Sequence, residues 1–126
     1  MHYSHLSKVV IDLPSDVHDE GLEFWQGALG LPMEQFAKYP EFHGAHLHHK
    51  EFGVLVQELT EGQSRVHLDI HTDDLDAEVA RLQALGATVA QEAGHWKIMR
   101  DPAGLLFCVI PVPQGTLNDA NAARWD

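Results

Sequence analysis

The stretch HLDIHTDDLDAEVARLQALGA, residues 67–87, decides the fold, because it reads as a strand, a capped helix and a glycine stop. In its first five residues Leu68 and Ile70 share one strand face, while His67, Asp69 and His71 share the other. Thr72 or Asp73 can then cap a helix whose Leu75, Val79, Leu82 and Leu85 form one apolar stripe, and Gly86 ends it. The same order occurs near the start. In KVVIDLP, residues 8–14, Val9, Ile11 and Leu13 alternate with Lys8, Val10 and Asp12. Ser15 or Asp16 can cap the helix that follows, Leu22, Trp25 and Leu29 recur at helical spacing, and Gly30 with Pro32 stops it. A chain built from two copies of one unit places its functional site where the copies meet, on inward-facing strand positions.

Outward from these passages, Met33–Ala37, Ala45–Lys50 and Gly53–Leu59 read as further strands of the first copy, each bounded by Gly, Pro or a charged turn. Ala87–Glu92, His95–Arg100 and Leu105–Ile110 read as strands of the second. Between the last two, Asp101-Pro102-Ala103-Gly104 is a turn with Pro and Gly where a turn wants them. Both copies are therefore β-α-β-β-β, over about residues 5–60 and 64–113, in one α+β domain. A polar tail, residues 114–126, follows and is expected to be anchored by Trp125.

Composition narrows the function. The 126 residues are 44% hydrophobic, enough for one core. Nineteen acidic against eight basic residues give a formal charge of -11, which repels a phosphate backbone or an anionic membrane surface. One cysteine forms no internal disulfide, the start MHYSHLSKVV carries no long apolar region, and no run suits a membrane span. The expectation is a soluble, cytoplasmic protein with neither nucleic acid nor membrane as partner.

The pieces RVHLDIHTDDLDAEVARLQALGA and DPAGLLFCVIP, following a matching first copy, resemble the vicinal oxygen chelate superfamily of glyoxalase and bleomycin-resistance proteins, specifically its small glyoxalase-like members. The resemblance covers about residues 5–113. It implies two β-α-β-β-β modules in a curled mixed sheet around a central cavity, commonly as a homodimer. In metal-dependent members it also implies a divalent ion (Fe, Ni, Mn or Zn) held by one ligand from each of four strands. His67 matches a histidine ligand position. Lys8 stands at the corresponding place in module one, and an ammonium has no lone pair to give. The glutamate position of the fourth strand falls on Glu58 or on Gln57, which strand parity makes mutually exclusive. The last falls on Cys108.

Three polar residues on one inward face, His67, Asp69 and His71, are costly unless water, each other or a ligand satisfies them. With Lys8, Asp12, Gln57, Trp96 and Cys108 they make up the candidate ligand-binding set. If an ion is bound, His67, Glu58 and Cys108 are its ligands, and Glu58 or His71 moves the proton in a catalysed reaction. Cys108 in LLFCVI also reads as a small core residue, and Lys8 as a lysine snorkelling from a strand end. His43, His46, His48 and His49 crowd the third strand; His46 and His48 share a face that could take zinc, and a polar edge strand explains them as well. His2 and His5 read as surface residues, Phe24, Trp25 and Trp96 as core, with Trp96 alternatively facing the cavity to stack on a ligand, and the acidic residues at both helix starts as dipole partners. A degenerate metal site in a small-molecule-binding domain accounts best for Lys8 and Cys108. A metal-dependent lyase, isomerase or dioxygenase and a dimeric accessory domain without a ligand are the alternatives.

Overall fold

A computed structural model of the chain describes residues 1–46 and 52–126. The fold is α+β, with two helices and nine strands of mixed sheet among the described residues. The order is β1 (His2–Pro14), α1 (Ser15–Leu29), β2 (Glu34–Gln35), β3 (Phe42–His46), β4 (Gly53–Leu59), β5 (Arg65–Thr72), α2 (Leu75–Ala84), β6 (Thr88–Ala93), β7 (Trp96–Arg100), β8 (Leu106–Pro111) and β9 (Ala123–Trp125). The β-α-β-β-β order thus occurs twice, and a short ninth strand follows. Two compact units result, residues 8–67 and residues 1–7 with 68–126, so the N-terminal part of β1 goes with the second repeat.

In the unit 8–67 the strands are bonded in the order β2-β3-β4-β1. β1 and β4 run parallel, with Ile11 opposite Val56 and Asp12 opposite Gln57. Leu13, Met33, Val54 and Val56 form the core, and Ile11 from the strand with Leu22 and Trp25 from α1 packs on it. β1 runs into α1 with Pro14 at the N-cap and no side-chain cap, so neither Ser15 nor Asp16 caps the helix. No loop intervenes to set such a side chain ahead of the first turn. Gly30 closes α1 at φ 67°, a left-handed conformation that suits glycine. Phe24 is exposed and not core, lying edge-on to Trp25, because it sits off the stripe that faces the sheet. The third strand begins earlier than expected, at Phe42, and has β2 and β4 on its two sides, so it is not an edge. The expected strand residues 47–50, with His48 and His49, lie outside the described residues.

In the other unit β5-β8-β7-β6 are bonded in that order, and β9 pairs antiparallel with β1 at residues 2–4. Val79, Leu82, Ala87, Met99, Phe107 and Val109 form its core, with Leu68, Ile70 and Leu75 against it. Leu85 is the C-cap of α2 and is exposed, since the helix has ended before the apolar stripe returns. The cap at the other end is Asp74, one residue beyond the expected Thr72 or Asp73; its side chain accepts from the Ala77 amide at 3.0 Å. Thr72 is held in β5, its hydroxyl donating to the Tyr3 carbonyl at 2.9 Å. The turn after β7 is as the residues suggest: the Gly104 amide donates to the Asp101 carbonyl at 3.0 Å, and Asp101 Oδ1 accepts from the Ala103 and Leu105 amides.

A buried carboxylate ties this unit together. Glu78 of α2 is 0% exposed, yet it accepts from Arg81 Nε at 2.6 Å and Nη2 at 3.0 Å and meets His2 Nε2 at 2.9 Å. His2 is buried, not a surface residue, because β1 begins six residues earlier than its alternation suggests. Arg81 in turn lies 3.8 Å over the Trp125 ring, whose Nε1 donates to Ser4 Oγ at 2.9 Å. Burial pushes the Glu78 carboxyl upward, but its hydrogen bonds to Arg81, Ser4 and His2 outweigh that and hold it below the ordinary 4.5. The network therefore stabilises the fold above that pH and loses its effect as pH falls through the lower folded-state value. Glu78→Ala, which leaves Arg81 and His2 without their acceptor, is expected to cost about 3 kcal/mol at pH 7. Urea unfolding should show the gap between wild type and variant narrowing as the pH is lowered through the acid range.

Candidate functional site

Alternation sets the site. Because Ile11 and Leu13 face the helix-side core, Lys8 and Asp12 fall on the opposite face of β1. Asp12 is only 1% exposed, and its Oδ2 lies 2.5 Å from His67 Nδ1 and 3.7 Å from Arg65 Nε. A carboxylate so buried needs partners, and the imidazole with the half-exposed guanidinium supplies them. With Asp12 accepting from Nδ1–H, the lone pair of His67 resides on Nε2, the tautomer that suits a ligand or a base. Asp12 Oδ1 is buried without a hydrogen-bond partner among the described residues. An oxygen left so costs about 1–3 kcal/mol, comparable to a good hydrogen bond to a bound molecule.

β5 carries His67 and Asp69 on the face opposite Leu68 and Ile70, which pack on the α2 side. Asp69, 4% exposed, is registered on Cys108 of β8. Ligand atoms of His67, Asp69 and Cys108 lie within 4.8 Å of one another. Cys108 is a half-buried free thiol. Ile98 is opposite Cys108, so alternation along β7 places Trp96 on the same face. His71 lies with its ring centroid 6.0 Å from that of His5, and His5 Nδ1 meets the Asn121 carbonyl at 2.8 Å, so His5 is tied down and only partly exposed.

Parity separates the two fourth-strand candidates. Gln57, registered on Asp12, takes the Asp12 face. Glu58 turns to the α1 side, where its Oε2 is 3.5 Å from His18 Nδ1. Glu58 therefore lies on the face opposite Asp12, and the carboxylate grouped with His67 and Cys108 is Asp69. Lys8 is half-buried and registered on Gly53. Sequence reading passed over Asp12 as the partner of His67, since pairing across strands leaves no local trace. It also passed over His18, although the spacing 18, 22, 25 puts His18 on the same helical stripe as Leu22 and Trp25.

The donor set fits an ion of borderline softness. An imidazole, a carboxylate and a thiol are the ligands of zinc-type sites that keep a position open, whereas magnesium or calcium would want oxygen throughout. Asp12 on Nδ1 of His67 supplies the outer carboxylate such sites use.

The glyoxalase-like domain family matches residues 8–110, and the chain belongs to that family, within the vicinal oxygen chelate superfamily. No curated protein sequence matches it. Among solved structures it is similar to methylmalonyl-CoA epimerase from Mycobacterium tuberculosis, at 17% identity and a TM-score of 0.57, covering 86% of this chain and 89% of that one. A variant of the Streptomyces coelicolor methylmalonyl-CoA epimerase in complex with 2-nitronate-propionyl-CoA is similar at 16% identity and a TM-score of 0.56, covering 85% and 96%. A variant of 4-hydroxymandelate synthase from Streptomyces coelicolor aligns at 15% identity and a TM-score of 0.58, over 98% of this chain and 51% of that one. At these identities the likeness is one of fold.

If Asp12 fixes the His67 tautomer, Asp12→Asn should leave the fold in place and redistribute the imidazole proton. Nitrogen chemical shifts of the His67 ring should report an Nδ1–H form in the wild type and a mixture in the variant. An unchanged spectrum would mean that the 2.5 Å contact does not control the ring.

Proposed function

We propose that this glyoxalase-like domain binds a small polar or anionic organic molecule against the strand face that bears Asp12, Gln57 and His67. Its metal site is reduced relative to the four-ligand pattern the resemblance implies. The observation that carries the reading is Asp12: a buried carboxylate with one oxygen on His67 and the other without a partner among the described residues. A face meant only to be packed would have neither group, since apolar residues of the same volume cost nothing to bury. Lys8 at a histidine position and Glu58 turned to His18 support the reduced metal site. Trp96 offers an aromatic surface on the same face as Cys108, suited to a planar ligand. The chain's charge of -11 works against a ligand with many negative charges, so one or two anionic groups suit it better than a polyphosphate. The same reading has the domain acting as a homodimer in the cytoplasm, the assembly and setting that the resemblance and the composition suggest.

A metal-dependent lyase, isomerase or dioxygenase is the second reading, favoured by the His67, Asp69 and Cys108 cluster within 4.8 Å. Those three residues would hold a divalent ion, which when bound would polarise a substrate oxygen. Asp12 would keep the His67 ring in orientation, and His71 is the remaining base on that face to move a proton.

A thermal-shift screen of α-keto acids, glutathione adducts, catechols, aromatic antibiotics and acyl-CoA thioesters separates the readings. A ligand at a hundred times its Kd stabilises by about 2.7 kcal/mol, enough to move Tm by on the order of 10 °C. Hits found without added metal, weakened in His67→Ala and in Asp12→Asn, and not turned over are the expected result. Turnover that needs added divalent metal and is lost in Cys108→Ala would favour the enzyme. A panel that moves neither wild type nor variants would overturn both.

A further inference from the structure

The α1 side of the unit 8–67 holds a second cluster of ionisable groups, apart from the Asp12 face. His18, the fourth residue of α1, is only 3% exposed, and its ring centroid lies 5.5 Å from that of His43 on β3, with the planes at 49°. His18 Nδ1 is 3.0 Å from Asp19 Oδ1 and 3.5 Å from Glu58 Oε2. With the Nδ1 proton given to Asp19, the lone pair of His18 sits on Nε2, and Nε2 is buried without a partner among the described residues. His43 Nδ1 is in the same condition. Two adjacent imidazoles thus each leave a buried ring nitrogen unused, which an apolar neighbour cannot remedy and an anion would not, given Asp19 and Glu58 beside them.

We propose that His18 Nε2 and His43 Nδ1 form a second metal site, with Asp19 and Glu58 as outer carboxylates on the other nitrogen of His18, that takes a divalent transition ion of the imidazole-preferring kind, Zn²⁺ foremost. The chemistry fits on three counts. Imidazole is a ligand such ions select, and the carboxylate on Nδ1 of His18 is the outer partner that orients a ligating ring. His43 Nδ1 is a second imidazole nitrogen, buried without a partner among the described residues, on the ring next to His18. Asp19 and Glu58 both lie at His18 Nδ1, at 3.0 and 3.5 Å, so negative charge sits beside the ring and suits a cation on its other nitrogen. His18, Asp19, His43 and Glu58 come from α1, β3 and β4, so the site belongs to the first repeat alone and does not depend on the function proposed for the Asp12 face.

The test is titration of the untagged protein with Zn²⁺ by calorimetry and with Co²⁺ by absorption. A cobalt ion on Cys108 gives a thiolate charge-transfer band, whereas one on His18 and His43 gives ligand-field bands without it, so the two sites are told apart. We expect one equivalent that persists in the His67→Ala, Cys108→Ala double variant, is lost in His18→Gln and in His43→Phe, and weakens on the order of tenfold in Glu58→Gln. His43→Phe keeps an aromatic ring in place, so it carries the test should His18→Gln fail to fold. An ion that disappears with His67 and Cys108, an equivalent indifferent to His43→Phe and Glu58→Gln, or no binding at all would overturn the site.

Discussion

Everything in the arrangement of polar residues depends on strand alternation against a helix-covered face. Once Ile11 and Leu13 pack toward α1, and Leu68 and Ile70 toward α2, Asp12, His67 and Asp69 are committed to the other face. The parallel pairings of β1 with β4 and β5 with β8 propagate the choice, placing Gln57 beside Asp12 and Cys108 beside Asp69. A slip of one residue would carry Asp12 into the core of Leu13, Val54 and Val56. The several kcal/mol that an unpaired buried carboxylate costs is what makes the register unambiguous.

Buried polar groups in the chain fall into two kinds, distinguished by whether their hydrogen bonding is complete. Glu78 has both oxygens engaged, by Arg81 and His2, and its role is to join α2 to the start of β1. Asp12 has one oxygen engaged and the other without a partner among the described residues. Complete satisfaction suits a structural tie, whereas a buried atom with a remaining valence leaves a hydrogen bond for another group to make.

The two repeats make the comparison directly. His18 is the fourth residue of α1 and Glu78 the fourth of α2, and both are buried. The second repeat closes around Glu78 with an arginine one helical turn on. At the same point the first repeat has Gly21 in place of Arg81, and a β-carbon there would come within 2.3 Å of the Leu13 side chain. A long cation is thus excluded from that position by packing, and His18 finds instead Asp19, Glu58 and His43. One scaffold position has become a structural tie in one repeat and an incompletely satisfied histidine cluster in the other.

What the sequence by itself determined is periodic and local: both helices, the β-α-β-β-β order of each repeat, the faces of Ile11, Leu68, Ile70, His67 and Asp69, and the Asp101–Gly104 turn. These follow from interactions within a few residues, or from an alternation that holds whatever the partner strand is. Only the tertiary structure decided that Gln57 and not Glu58 shares the face of Asp12, that Asp12 is the partner of His67, and that His2 and His18 are buried. Those facts depend on register between strands far apart in the chain and on which side of a helix is covered. A local pattern carries no information about the identity of the residue that arrives opposite, so a buried pair such as Asp12 and His67 becomes legible only when both strands are in place.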